Sequence, residues 1–94
     1  AAPMIALTLP PRIDLSNAAT VSRDIQAASG GTMVLDASQV AHLGALGVQI
    51  LLASARSWRA AGQSFTISPR SEAFDETLAQ FGLTVGALQT EVGA

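Results

Sequence analysis

The sequence has no cysteine and no lysine, and it has only one histidine and one tryptophan. Without cysteine there is no disulfide, no thiol nucleophile and no thiolate metal site, and one histidine cannot form a histidine metal cluster. We therefore expect no metal, no other cofactor and no catalytic residue. A chain without cysteine is also compatible with the reducing cytoplasm, where we expect this protein to act.

Positive charge is scarce as well. Five arginines stand against seven acidic residues, so the net charge is -2 and there is no dense basic surface for nucleic acid or anionic lipid. The longest weakly polar run, 40–55, is too short for a bilayer span and contains His42 and Gln49. The N-terminus lacks the basic and apolar regions of a signal peptide. These features argue against nucleic-acid binding and membrane insertion.

Aromatic residues make up 4% of the chain although 49% of its residues are hydrophobic. The core must therefore consist mainly of alanine, leucine, valine and isoleucine. At 94 residues the chain is long enough for one such core. We predict a single domain over 1–94, interpret 1–3 as a cloning remnant before Met4, and leave the fold of the tail, 84–94, open between a short helix and a strand.

Hydrophobic periodicity predicts strands that alternate with helices. The predicted strands are 4–10, a brief extension at 12–16, 32–38 and 64–68. The predicted helices are 16–28, capped by Ser16 or Asn17, then 46–61, closed by Gly62, and a third from Ser71 to Gly82. The first two strands would form a hairpin-like pair, and alternation after them implies right-handed crossovers. We expect an α/β domain with a mixed sheet, mostly parallel inner strands, an N-terminal edge strand and helices packed on the sheet.

The helix from Leu46 carries two apolar stripes. One follows the spacing of a core-facing stripe: Val48, Leu51, Leu52 and Ala55. The other lies on a neighbouring face: Leu46, Gln49, Ile50 and Ala53. A helix in so small a domain seldom has protein on both sides, so we expect the second face to be partly exposed unless a partner covers it. A tail that folds over this face is an alternative that the sequence leaves open.

The segment "VLDASQVAHLGALGVQILLASARSWRAAGQSFTIS" resembles the STAS domain family, which includes bacterial anti-sigma factor antagonists. The family has a strand ending in Asp-Leu-Ser, a loop into Asp-Ser-Ser-Gly, and an apolar helix that ends in Gly before a strand. Asp36-Ala37-Ser38 matches the first element, and Gly44-Ala45-Leu46-Gly47 falls on the second. "SPRSEAFDETLAQFGL", 68–83, is similar to the family's closing helix. The resemblance runs from the edge strand to Leu83 and implies a STAS-like fold.

The resemblance also implies a function and a surface. In anti-sigma antagonists the second serine of Asp-Ser-Ser-Gly accepts a phosphate that breaks the complex, and Leu46 occupies that position here. Since leucine has no hydroxyl, we expect no phosphorylation switch at Leu46. We expect a non-enzymatic protein-interaction module in bacterial signal transduction. Its expected protein-binding residues are Gly44, Ala45, Leu46, Gly47, Gln49, Ile50 and Ala53.

A narrower resemblance links "GVQILLASARSWRAAGQSF", "SEAF" and "FGL" to small STAS proteins of alphaproteobacterial chemotaxis clusters. It implies a chemotaxis component or an anti-sigma kinase-like protein as the partner. A STAS subunit of a lipid-transport complex with an ATPase is the alternative within the family. A small-ligand-binding or enzymatic domain is the alternative of another class, and a homodimer is left open.

Three other side chains have both an ordinary and a functional interpretation. His42 is either a surface loop histidine or a general base, Ser38 either bonds local backbone or accepts a phosphate, and Trp58 either covers the core or anchors a partner. With no second histidine and no cysteine, we favour the ordinary role for each.

Overall fold

The computed structural model describes residues 4–28 and 30–89. The predicted remnant at 1–3 and the last part of the tail, 90–94, lie outside these residues. The described residues form β1 Met4–Thr8, β2 Arg12–Ile13, α1 Ala18–Ala27, β3 Thr32–Ala37, β4 His42–Leu43, α2 Ala45–Ala60, β5 Phe65–Arg70, α3 Glu72–Gln80 and a 3₁₀ turn, Val85–Leu88. The α/β class and the order of the helices are confirmed.

The main sheet has the strand order β1-β3-β5, with β1 at one edge and both strand pairs parallel. The predicted N-terminal edge strand is therefore confirmed. The predicted hairpin-like pair is wrong, because β2 pairs with β4 in a separate, parallel, two-stranded sheet. The predicted loop before α2 thus contains a short strand. Every strand pair within 4–28 and 30–89 is parallel.

The core lies on one face of the main sheet. Along β3 the residues alternate, with Met33, Leu35 and Ala37 fully buried and the residues between them only partly buried. The apolar stripes of all three helices join these residues in one cluster: Val21, Ile25, Val48, Leu51, Ala55, Trp58, Phe74 and Leu78. The opposite face of the sheet is more exposed, and Met4 on that face is 73% exposed.

Local hydrogen bonds explain where the helices begin and end. Ser71 Oγ accepts a hydrogen bond from the amide of Phe74 and donates one to the carbonyl of Val40, which fixes the start of α3. Asn17, one of the two predicted caps, occupies the N-cap position of α1, but its side chain makes no cap bond. Gly62 has a φ of 71° after α2, a conformation that glycine adopts at little cost.

Candidate functional site

The amino end of α2 is anchored to β2. Gly44 precedes the helix with extended backbone, and its amide donates to the carbonyl of Ile13 at 2.9 Å. No side chain caps this end, and the first turn of α2 contains no acidic residue. The first amides of the helix therefore retain the partial positive charge of an uncapped helix start.

Gly47 is buried, unlike its neighbour Leu46. A Cβ atom on Gly47 would lie 2.7 Å from both Ile13 Cγ2 and Leu43 Cδ1, closer than packed atoms approach. The absence of a side chain at this position lets α2 lie directly on the β2-β4 pair. Gly47 therefore positions the first turn of the helix, whereas Ala45 and Leu46 before it are exposed.

The outer side of that turn is apolar and open. Leu46 is 42% exposed, and three small or neutral residues on the same side of α2 are also exposed: Ala45, Gln49 and Ala53. We call these four residues the α2 entry surface. Ile50, which the sequence placed with them, is half-buried and packs against the core cluster.

The carboxyl-terminal segment does not seal this surface within the described residues. The 3₁₀ turn Val85–Leu88 packs against α2 and β5, and Leu88 is fully buried there. Leu46, Gln49 and Ala53 nevertheless stay exposed. As far as residue 89, then, the tail packs elsewhere on α2 and leaves the α2 entry surface open.

Leu15 is an exposed residue at this site that the sequence did not single out. It is 84% exposed, the most exposed of the large hydrophobic side chains within 4–28 and 30–89. It follows Asp14, whose Cα would lie 4.0 Å from a Cβ atom on Gly44. Leu15 and Leu46 are thus each within two residues of the contact between β2 and the start of α2. A leucine between polar residues in "RIDLS" was the available signal.

The loop that carries Leu15 is fixed by its own hydrogen bonds. The Asp14 carboxylate accepts bonds from Arg12 Nε at 2.5 Å, Ser16 Oγ at 2.5 Å and the Ser16 amide at 2.9 Å. Asn17 bonds back to the Asp14 amide and the Arg12 carbonyl. The bonds from Ser16 and Arg12 stabilise the charged carboxylate and lower the pKa of Asp14 from 3.8 to about 2. Leu15 is therefore held by an ordered loop.

The same kind of turn occurs where β3 ends. The Asp36 carboxylate accepts the Ser38 hydroxyl at 2.6 Å and the Ser38 amide at 2.9 Å, and these bonds lower the pKa of Asp36. Ser38 is thus bonded locally, although its hydroxyl bonds the Asp36 carboxylate rather than the backbone that we predicted. The Asp-x-Ser element that matched the family pattern forms a turn beside the start of α3, because the Ser71 amide bonds the Ala37 carbonyl.

The other singled-out side chains lie apart from one another. Trp58 is buried, its Nε1 donates to the Gly31 carbonyl at 2.9 Å, and its ring packs on Phe65, so its predicted role in the core is confirmed. His42 is exposed in β4. Within 4–28 and 30–89 no three histidine, cysteine, aspartate or glutamate residues are grouped as metal ligands would be.

A shallow groove of about 300 Å³ lies between α3 and the 3₁₀ turn. Arg70 and Asp75 line it together with apolar residues, and their side chains form an ion pair with a distance of 2.9 Å from Arg70 Nε to the Asp75 carboxylate. Arg70 Nη1 also donates to the Ile67 carbonyl. These contacts account for Arg70 as a structural residue that ties β5 to α3.

None of the helices in the part of the chain that the structure describes is both long and apolar enough to cross a bilayer. A family model described as "Mlab, STAS domain" matches residues 4–90, which runs from β1 to just beyond the 3₁₀ turn. The search of curated proteins gives no match. The family match covers nearly the whole chain and agrees with the observed α/β fold, and the chain therefore belongs to the STAS domain family.

Proposed function

We propose that this chain is a non-enzymatic STAS-type protein-interaction module in bacterial signal transduction, of the chemotaxis or anti-sigma partner-switching type. Its partner would be a chemotaxis component or an anti-sigma kinase-like protein in the cytoplasm. The observation that carries the proposal is the exposure of Leu46, 42%, at the position that the family resemblance assigns to the phosphoacceptor. Family membership supports binding of another protein in general.

Docking would use the α2 entry surface together with Gly44 and the exposed part of Ile50. Gly47, which we expected to contact the partner, is buried against Ile13 and Leu43 and would position this surface instead. Leu46 supplies the largest apolar side chain of that surface, Gln49 supplies hydrogen-bonding groups, and Ala53 allows close approach. Truncation of a well-packed apolar residue at an interface centre costs about 1 to 3 kcal/mol of binding free energy. Leu15 extends the apolar area. Because its loop is already ordered before binding, less conformational entropy is lost when the partner binds.

Regulation would differ from that of the anti-sigma antagonists. The first turn of α2 reads Ala45, Leu46 and Gly47, and none of these residues has a hydroxyl group. A phosphate cannot be added there, so its negative charge cannot repel a partner. We infer that association through this surface is controlled by the amount of protein or by a change in the partner.

Leu46→Asp is the decisive variant because it should leave the fold intact. Leu46 is somewhat more than half buried, so its replacement loses about 1 to 1.5 kcal/mol of burial. An aspartate in the first turn of an uncapped helix stabilises the fold by about 0.3 to 1 kcal/mol, because its negative charge lies near the positive end of the helix dipole. The net loss is small beside the total stability of a domain, about 5 to 15 kcal/mol. The same aspartate would place an unpaired charge in the proposed interface.

Phe81→Asp provides a matched control. Phe81 is 47% exposed and directly follows α3, so it lies on a different helix from Leu46. The substitution therefore adds the same charge at a similarly exposed apolar residue outside the α2 entry surface.

The experiment is a pull-down from the native cell with the wild-type protein, Leu46→Asp and Phe81→Asp, followed by mass spectrometry of the captured proteins. We expect wild type and Phe81→Asp to capture the same signalling protein and Leu46→Asp to lose it by at least tenfold. Undiminished capture by a folded Leu46→Asp protein would disprove the proposed surface. Capture of a transporter ATPase would instead favour the lipid-transport alternative.

A further inference from the structure

The two edges of the main sheet differ in how their backbone groups are used. At the β5 edge, the outward amide of Ile67 donates to the side-chain oxygen of Gln89 at 2.9 Å, and the Ile67 carbonyl accepts from Arg70. Side chains thus occupy the outward backbone groups of Ile67. At the opposite edge β1 pairs with β3 on one side and has no strand on its other side within the described residues.

The backbone of β1 shows which of its residues face outward. The Leu9 amide donates to the Asp36 carbonyl in β3, and amides along a strand alternate between its two sides. The amides of Ile5 and Leu7 therefore point toward β3. The amides of Met4, Ala6 and Thr8 point toward the open edge. Within the described residues no strand pairs with these three amides or with the carbonyls of the same residues, so they are available for another strand.

Several of the features that protect an edge strand from pairing are missing from β1, although the strand is short, with five residues. Its sequence, MIALT, contains no charged residue and no proline, and its register with β3 continues without a shift from Met4 to Thr8. The core face is also incomplete at this edge. Ile5 and Leu7 are only partly buried, whereas their neighbours in register, Met33 and Leu35, are fully buried.

We propose that two copies of this chain associate through antiparallel pairing of their β1 strands about a two-fold axis at Ala6. This register makes β1 complementary to itself. Ala6 faces Ala6, Met4 faces Thr8, and Ile5 faces Leu7 on the core side, where the paired side chains extend the hydrophobic core across the axis. No like charges meet. None of the residues of the α2 entry surface belongs to β1.

The first test removes one outward amide. Ala6→Pro deletes a group that β1 does not use toward β3, and proline is tolerated at such edge positions. Ala6→Ser keeps the amide and serves as the matched control. Sedimentation equilibrium over concentrations up to about 1 mM covers the range of weak self-association. We expect wild type and Ala6→Ser to reach twice the chain mass of 9.6 kDa and Ala6→Pro to remain at the chain mass.

A second test probes the proposed pairing register with charged substitutions at Met4 and Thr8. Both side chains are exposed, so the fold does not depend on them. Met4→Lys/Thr8→Lys places lysine opposite lysine twice in the proposed dimer, whereas Met4→Lys/Thr8→Glu places lysine opposite glutamate. We expect the first variant to be monomeric and the second to dimerise, both with an unchanged circular dichroism spectrum. A wild-type protein that stays at 9.6 kDa, or a dimer that persists in Ala6→Pro or in the double-lysine variant, would overturn the proposal.

Discussion

Gly47→Ala tests the packing that positions the start of α2. The added methyl group would lie 2.7 Å from Ile13 Cγ2 and Leu43 Cδ1. Leu43 can rotate its terminal methyl away, but Ile13 branches at Cβ and has little rotational freedom. Overpacking of a core costs about 1 to 3 kcal/mol, and the better helix propensity of alanine returns up to about 1 kcal/mol. We expect a net loss of about 1 kcal/mol, which lowers the melting temperature of a domain this size by about 5 °C.

Urea unfolding followed by circular dichroism measures this loss. Gly86→Ala is the matched control, because a Cβ atom there would lie 3.5 Å from Thr84 Oγ1, an ordinary contact. Ile13→Leu removes the β-methyl that causes the crowding, so its combination with Gly47→Ala should cost less than the two single changes added together. A Gly47→Ala protein more stable than wild type, or fully additive costs, would refute the close approach of α2 to β2.

Two further predictions concern single hydrogen-bonded groups. Because the pKa of Asp14 falls from 3.8 to about 2 on folding, its charged form stabilises the fold above pH 3.8, and this contribution is lost as the pH falls toward 2. Asp14→Asn should therefore lose less unfolding free energy than wild type between pH 5 and pH 2 in urea titrations; an identical pH profile would contradict this. Trp58→Phe removes the donor to the buried Gly31 carbonyl and should cost about 1 to 3 kcal/mol by circular dichroism, since the variant has no tryptophan fluorescence. A loss below about 0.5 kcal/mol would show that this bond contributes little.

The helices were predictable because each has a strong local pattern. The core stripe of α2 begins at Val48, and Gly62 ends the helix, so its observed bounds, Ala45–Ala60, differ from the prediction by one residue at each end. The strands β2 and β4 were not predictable in the same way. Each has two residues, too few for an alternating pattern, and their pairing joins segments about thirty residues apart in the chain.

The α2 entry surface was predictable in part for the same reason. Helical spacing placed Leu46, Gln49 and Ala53 on one side of α2, and the structure shows these residues exposed. Spacing could not reveal that Gly47 is buried, since its contacts come from Ile13 in another segment. Leu15 was missed because an isolated leucine in a polar loop has no periodicity, and its exposure depends on hydrogen bonds that only the folded loop forms.

These contacts show that the position of the first turn of α2 does not depend on which side chain stands at position 46. The backbone that presents Leu46 is fixed from below by the Gly44–Ile13 hydrogen bond and by the contact of Gly47 with Ile13. Neither contact involves the side chain at position 46, so a serine or a leucine there would be held in the same place. The backbone geometry of the first turn is thus independent of the side chain at position 46. A domain built in this way can carry either a hydroxyl group or an apolar side chain at this position at little cost in stability, and in the proposed function the apolar side chain would keep the surface free of phosphate control.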